Sequence, residues 1–169
     1  CILREETLAH VGCIQNATAG EEYRRGWHPE LYARPTNPDR AILVIGGGPA
    51  GMECAMVLGK CGYEAVHLVE AADALGGKMR WTRQLPTLGD WGRVIDHRVI
   101  ALDKLSNVEV ILGRQLSVEE VLDYGADTVI VATGSAWAGD GLQSHRAELI
   151  ENATSAFTPE QIMSGSRPP

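Results

Sequence analysis

The sequence predicts an α/β domain built on a parallel sheet, and three observations predict it. Short apolar, β-branched runs alternate with stretches of helical apolar spacing. A glycine-rich turn joins the first run to the first helix, and an acidic residue closes the second run.

Residues 1–39 carry no clear periodicity. They hold Gly20, Pro29, Pro35 and Pro38 and the polar, aromatic stretch EEYRRGWHPELY at 21–32, which suits an extended connector that packs on something else. TNPDR (36–40) is a turn signal. AILVIG (41–46) is the composition of a buried parallel strand. GGPAG (47–51) is the turn, and MECAMVLGKCG (52–62) is a helix that Gly62 closes. EAVHLVE (64–70) is the second strand. The loop AADALGGKM (71–79) and a connector with Pro86 follow. GDWGRVIDHRVIALDKL (89–105) reads as one helix with Val94, Ile95, Val99, Leu102 and Leu105 on its apolar side. NVEVILG (107–113) is a short strand. SVEEVLDYG (117–125) opens with Ser117 and has Glu120 three residues on, a capping box. ADTVIVATG (126–134) is strongly strand-like, and TPEQIM (158–163) is a short helix capped by Thr158. The strand at 41–46 is expected at the centre, with 64–70 and 127–133 beside it.

The chain has 169 residues and a formal charge of −7, from 15 Lys and Arg against 22 Asp and Glu. An acidic chain with no basic run longer than Arg24-Arg25 argues against nucleic-acid binding. No apolar stretch reaches the roughly 20 residues of a membrane span. The four cysteines do not form a secreted disulfide scaffold. Cys54 and Cys61 lie seven apart on a helix and read as small core residues.

The turn carries the chemistry. A pyrophosphate needs unpaired N–H groups, a positive helix end and a backbone without side chains in the way. Gly46 permits the tight turn. Gly48 lets phosphate oxygens reach the backbone, and Gly51 lets the helix pack close on the strand. Pro49 and Ala50 complete the helix start. Glu70 stands 24 positions after Gly46 at the end of the next strand, where a carboxylate accepts hydrogen bonds from ribose hydroxyls. It would repel a 2′-phosphate, so FAD, ADP or NAD is favoured over NADP. These features define an incomplete Rossmann-like sheet of the FAD/NAD(P)-binding type.

Two further pieces, LGGKM (75–79) and ATGS (132–135), resemble the FAD-binding half of disulfide reductase-like flavoproteins. That resemblance brings Gly77, Lys78, Thr133 and Gly134 to the cofactor, with Lys78 either a charge contact or a solvated surface lysine. A more specific resemblance runs through nearly the whole chain. CIQNATAGEEYRRGWHPE (13–30), VIGGGPAGMECA (44–55), LGGKM, LPTLGDW (85–91), DYGADTVIVATGSAW (123–137) and TPEQIM resemble the trimethylamine dehydrogenase family. Its relatives are the dimethylamine, histamine and N-methyl amino acid dehydrogenases and demethylases.

The resemblance implies a longer protein. An FMN-bearing (β/α)8 barrel is expected upstream and a second nucleotide-binding domain downstream. The domains expected here are a cluster-ligand segment and connector at 1–39, a dinucleotide-binding half-domain at 40–157, and a linker at 158–169. Cys1 and Cys13 match the third and fourth cysteines of a 4Fe-4S cluster. The implied reaction oxidises an amine at the FMN, after which the imine hydrolyses. Electrons leave through the cluster to an electron-transferring flavoprotein. No catalytic residue is expected in this segment, which alone would be inactive. The complete protein is expected to be a cytoplasmic homo-oligomer. Trp91 is a candidate for the acceptor-facing surface, or simply a packed residue. Two alternatives stay open: an NAD(P)H-dependent dienoyl-CoA or enoate reductase, and a structural module that holds ADP without redox work.

Overall fold

A computed structural model describes residues 12–13, 15–22, 31–139 and 157–166. The chain divides into two compact units, Cys1–Thr133 and Gly134–Pro169.

The first unit holds a parallel sheet of four strands in the order β3-β2-β1-β4. They are β1 (Ala41–Ile45), β2 (Ala65–Val69), β3 (Val108–Ile111) and β4 (Thr128–Val131). Strand β1 pairs in parallel with β2 from Ala41↔Ala65 to Ile45↔Val69. On its other side it pairs with β4 from Ile42↔Thr128 to Ile45↔Val131. The sequence-based placement of 41–46 between 64–70 and 127–133 therefore holds.

Helix α1 (Pro49–Cys61) crosses between β1 and β2. It begins three residues before the apolar pattern suggested, because Pro49 occupies the first turn, where its missing N–H costs nothing. Gly62 ends it in the left-handed region at φ 93°, and its N–H donates to the Gly59 carbonyl. Asn107, just before β3, donates its side-chain amide to the carbonyls of Gly59 and Tyr63 at 2.9 and 2.6 Å. The end of α1 is thereby tied to the start of β3.

The stretch 89–105, expected as one helix, is two elements. A 3-10 turn (Gly89–Gly92) leads into α3 (Arg93–Asp103), and a short helix α2 (Met79–Thr82) precedes both. Gly89 and Gly92 weaken helix propagation in the first turn, and Trp91 donates to the Leu88 carbonyl at 3.0 Å, an i→i+3 bond. Beyond β3, α4 (Val118–Asp123) carries the expected capping box between Ser117 and Glu120.

The core lies between the sheet and helices α1 and α3. Ile42, Val44, Val66 and Leu68 meet Met52, Ala55, Met56, Ile95 and Leu102 there, all buried. Each such side chain contributes about 1.5–3 kcal/mol on removal from water. Cys54 packs against this cluster. Cys61 is half-buried, and burial pushes both thiols up. Arg98 is the exception on the inner side of α3, 4% exposed. Its guanidinium sits 2.7 Å from Glu53 on α1 and donates to the Val94 carbonyl at 2.9 Å.

In the second unit, α5 (Pro159–Met163) has Thr158 as its cap, in a capping box with Gln161. Among the described residues no helix is long and apolar enough to cross a membrane.

Candidate functional site: the turn after the first strand

The carboxyl ends of β1, β2 and β4 converge where the strand order reverses beside β1, the place where open parallel sheets bind ligands. The turn from β1 into α1 sits there. Gly46 has φ 109°, and a Cβ on it would lie 2.4 Å from the Ala132 carbonyl oxygen and 3.0 Å from the Thr133 Cα. Only glycine fits between the end of β1 and the end of β4. Gly51 is as constrained, since its Cβ would lie 1.8 Å from the Gly46 carbonyl oxygen. The first turn of α1 thus packs directly on the strand end.

Gly48 differs. A Cβ there would meet nothing within 4 Å. Its backbone is extended, φ −72° and ψ 179°, so conformation does not require glycine. What its missing side chain leaves is access to the N-terminus of α1. The first N–H groups of a helix have no partner within it. The first turn of α1 carries no acidic residue, so the helix itself offers an anion only donors and its positive end. Pro49 and Ala50 follow as the first two helical residues.

Glu70 sits immediately after β2 with both carboxylate oxygens engaged. One accepts the Gly47 N–H, and the other accepts the Ala72 N–H at 2.8 Å. Glu70 therefore fastens the glycine turn to the loop after β2, a structural role the sequence reading did not assign it. A carboxylate has about four acceptor positions, so two backbone donors leave capacity for ribose hydroxyls. The loop after β2 folds back over the turn. Gly76 donates to the Gly47 carbonyl at 2.8 Å, and a Cβ on Gly77 would lie 3.1 Å from the Gly48 Cα.

Of the expected site residues, the structure brings together Gly46, Gly48, Pro49, Ala50, Gly51, Glu70, Gly77 and Thr133. Lys78, half-buried, follows Gly77 as the cap of α2. Gly134 opens the second unit, exposed and at φ 77°.

Cys1 lies outside the described residues. The Cys13 sulfur accepts the Gln15 N–H at 3.4 Å. Backbone donation from Gln15, then Asn16, lowers the Cys13 pKa, as suits a thiolate. Among the described residues no group of three or more His, Cys, Asp or Glu is placed to hold a metal. Trp91 is half-buried in the 3-10 turn.

Comparison with known proteins agrees with this fold. The pyridine nucleotide-disulphide oxidoreductase family model matches residues 6–85. A dimethylamine dehydrogenase of Hyphomicrobium sp. (strain x) is 42% identical over 164 residues, 92% of this chain but 22% of that protein. The solved 6-hydroxypseudooxynicotine amine oxidase of Pseudomonas geniculata N1 superposes with a TM-score of 0.91 at 42% identity, over 99% of this chain and 25% of that one. Histamine dehydrogenase from Rhizobium sp. 4-9 gives 0.90 at 38% identity, over 99% and 24%. The chain thus spans about a fifth to a quarter of the proteins it resembles.

Proposed function

We propose that the chain belongs to the trimethylamine dehydrogenase family, the group that includes the dimethylamine and histamine dehydrogenases, and that it is the ADP- or FAD-binding segment of such an enzyme. The single observation that carries this reading is the turn itself. Gly48 stands open at the N-terminus of α1 while Glu70 holds the adjoining strand end. The turn Gly46–Gly51 binds the pyrophosphate through the N–H groups of Gly48, Ala50 and Gly51, since those of Gly46 and Gly47 go to the Val69 carbonyl and the Glu70 carboxylate and Pro49 has none. Glu70 accepts from the ribose, and Gly77 closes over the turn. Thr133 and Lys78 contribute the far edge of the nucleotide site. The dinucleotide-binding half-domain is assigned to 40–157, with the cluster segment before it and the linker at 158–169 after it.

A bound flavin would supply two-electron redox chemistry, and an FMN on a separate barrel of the complete protein would supply it for amine oxidation. Cys1 and Cys13 would hold two irons of a 4Fe-4S cluster, which would supply one-electron transfer toward an electron-transferring flavoprotein. The N–H groups of Gln15 and Asn16 that point at the Cys13 sulfur support this role, since hydrogen bonds to sulfur tune such clusters. The complete protein is placed in the cytoplasm as a homo-oligomer. The reductase alternative is less well supported, because the dimethylamine dehydrogenase matches at 42% identity, against 35% for an alkene reductase/demethylase and 30% for a cinnamate reductase.

The test is the Cys13→Ala variant of the complete protein. It is expected to lose iron and sulfide, keep its flavin and nucleotide, and still let substrate bleach the flavin while transfer to the one-electron acceptor collapses. A variant that kept four irons per chain would remove Cys13 from the cluster.

A further inference from the structure

The turn that follows Cys13 holds backbone N–H groups against a sulfur. The Cys13 sulfur accepts the Gln15 N–H at 3.4 Å, and the Asn16 N–H faces the same atom. Asn16 is fastened from its other side. Its side-chain oxygen accepts the Thr18 N–H at 3.0 Å and the Thr18 hydroxyl at 2.7 Å. Its carbonyl accepts the Ala19 N–H at 3.2 Å. The Thr18 carbonyl accepts the Glu21 N–H at 3.0 Å, so the residue that grips Asn16 is itself tied into the next turn.

Thr18 stands apart from its neighbours in burial. It is 4% exposed, whereas Gln15 and Asn16 are half-buried and Ala17 and Gly20 are exposed. A surface hydroxyl exchanges its partner for water at little cost. A buried one does not, because an unmade bond there leaves a desolvated polar group. The Thr18 hydroxyl therefore stays on the Asn16 side chain, and Asn16 keeps its N–H turned toward Cys13.

That N–H has an electrostatic consequence for a thiolate bound to iron. Uptake of one electron adds one negative charge to a cluster and its sulfurs. Donors aimed at a ligand sulfur favour the state that carries the extra charge, and so raise the reduction potential.

We propose, resting on the assignment of Cys13 as a cluster ligand, that Asn16 and Thr18 are positioning residues that keep the Asn16 N–H on the Cys13 sulfur and thereby hold the cluster potential up. Asn16 acts through Cys13, and Thr18 acts through Asn16.

The test is a redox titration of the complete protein, read by the electron paramagnetic resonance of the reduced cluster, with iron counted in every sample. Thr18→Val keeps the branched shape and removes the hydroxyl. It should lower the reduced-to-oxidised ratio at fixed potential about threefold, about 28 mV for a one-electron couple. Asn16→Ala removes the acceptor of both Thr18 donors and should lower the ratio about tenfold, about 59 mV. Thr18→Ser returns the hydroxyl and should return the potential to the wild-type value. If Asn16→Ala loses its iron, the two Thr18 variants decide alone. An unmoved potential in Thr18→Val with full iron overturns the proposal. So does a shift in Thr18→Ser as large as that in Thr18→Val, which would assign the effect to packing. Loss of iron from Thr18→Val also overturns it, since the turn would then serve cluster assembly and not potential. A wild-type protein without iron would instead remove the assignment of Cys13, and this role with it, so the two failures are distinguishable.

Discussion

Gly48 and Gly51 stand three residues apart in one turn, and the structure assigns them opposite consequences on substitution. In Gly51→Ala the new Cβ would lie 1.8 Å from the Gly46 carbonyl oxygen. Ordinary contact begins near 3.4 Å, so helix and strand end must part by about 1.6 Å. The obstructing atom is backbone, and no side chain can swing aside. Overpacking of this kind costs about 1–3 kcal/mol, which lowers Tm by roughly 3–12 °C in a domain of this size. Gly48→Val is the converse. Its Cβ meets nothing within 4 Å, and the extended backbone suits a β-branched residue. Stability should change by less than about 1 kcal/mol, the range of helix-cap effects. The isopropyl group would nevertheless stand where phosphate oxygens must approach, so ADP binding should be lost. Thermal unfolding followed by circular dichroism, paired with ADP calorimetry on both variants, reads the two effects. An unchanged Tm for Gly51→Ala would refute the packing argument. Unchanged ADP affinity for Gly48→Val would remove Gly48 from the site.

Glu70→Ala should cost about 1–3 kcal/mol, because the N–H groups of Gly47 and Ala72 lose a charged acceptor, and should weaken ADP binding as well. Denaturant titration and calorimetry check the two effects separately. Arg98→Met strands the Glu53 carboxylate, a change worth up to about 3–5 kcal/mol when fully buried, and less here because Glu53 keeps some solvent. Adding Glu53→Gln should restore much of the loss, and a double variant no more stable than the single one would dismiss the pair. The cysteines should separate by alkylation rate. Backbone donors lower the Cys13 pKa, so its thiolate forms at lower pH than that of an ordinary thiol. Burial raises Cys54 and Cys61, whose thiolates form only at higher pH. Iodoacetamide labelling of the cluster-free chain at neutral pH, read by peptide mass, should modify Cys13 first, and faster labelling of Cys54 would contradict this.

Features written in local spacing were legible in the sequence. Alternation placed all four strands, and the Ser117/Glu120 pair and the Thr158 cap marked two helix starts that the structure reproduces. The glycine turn was legible because each of its glycines answers a separate local demand. Long-range contacts were not. Glu70 was readable as an acid ending a strand, but its tie to Gly47 depends on how β1 and β2 pair. The Arg98–Glu53 pair joins two helices 45 residues apart. One signal was available: Arg98 falls among Ile95, Val99 and Leu102 at helical spacing, and an arginine inside an apolar stripe implies a buried partner. The break at 89–92 escaped the periodicity because apolar spacing alone does not distinguish a 3-10 turn from the first turn of an α-helix.

The central claim is that this turn binds the ADP half of a nucleotide whose ribose carries no 2′-phosphate. Its most direct test is a pair of calorimetric titrations of the protein, one with ADP and one with adenosine 2′,5′-bisphosphate. The helix N-terminus and open Gly48 predict saturable binding of ADP. The Glu70 carboxylate at the end of β2 predicts that the 2′-phosphorylated ligand binds more weakly. Absence of ADP binding, or tighter binding of the 2′-phosphorylated ligand, would contradict the account.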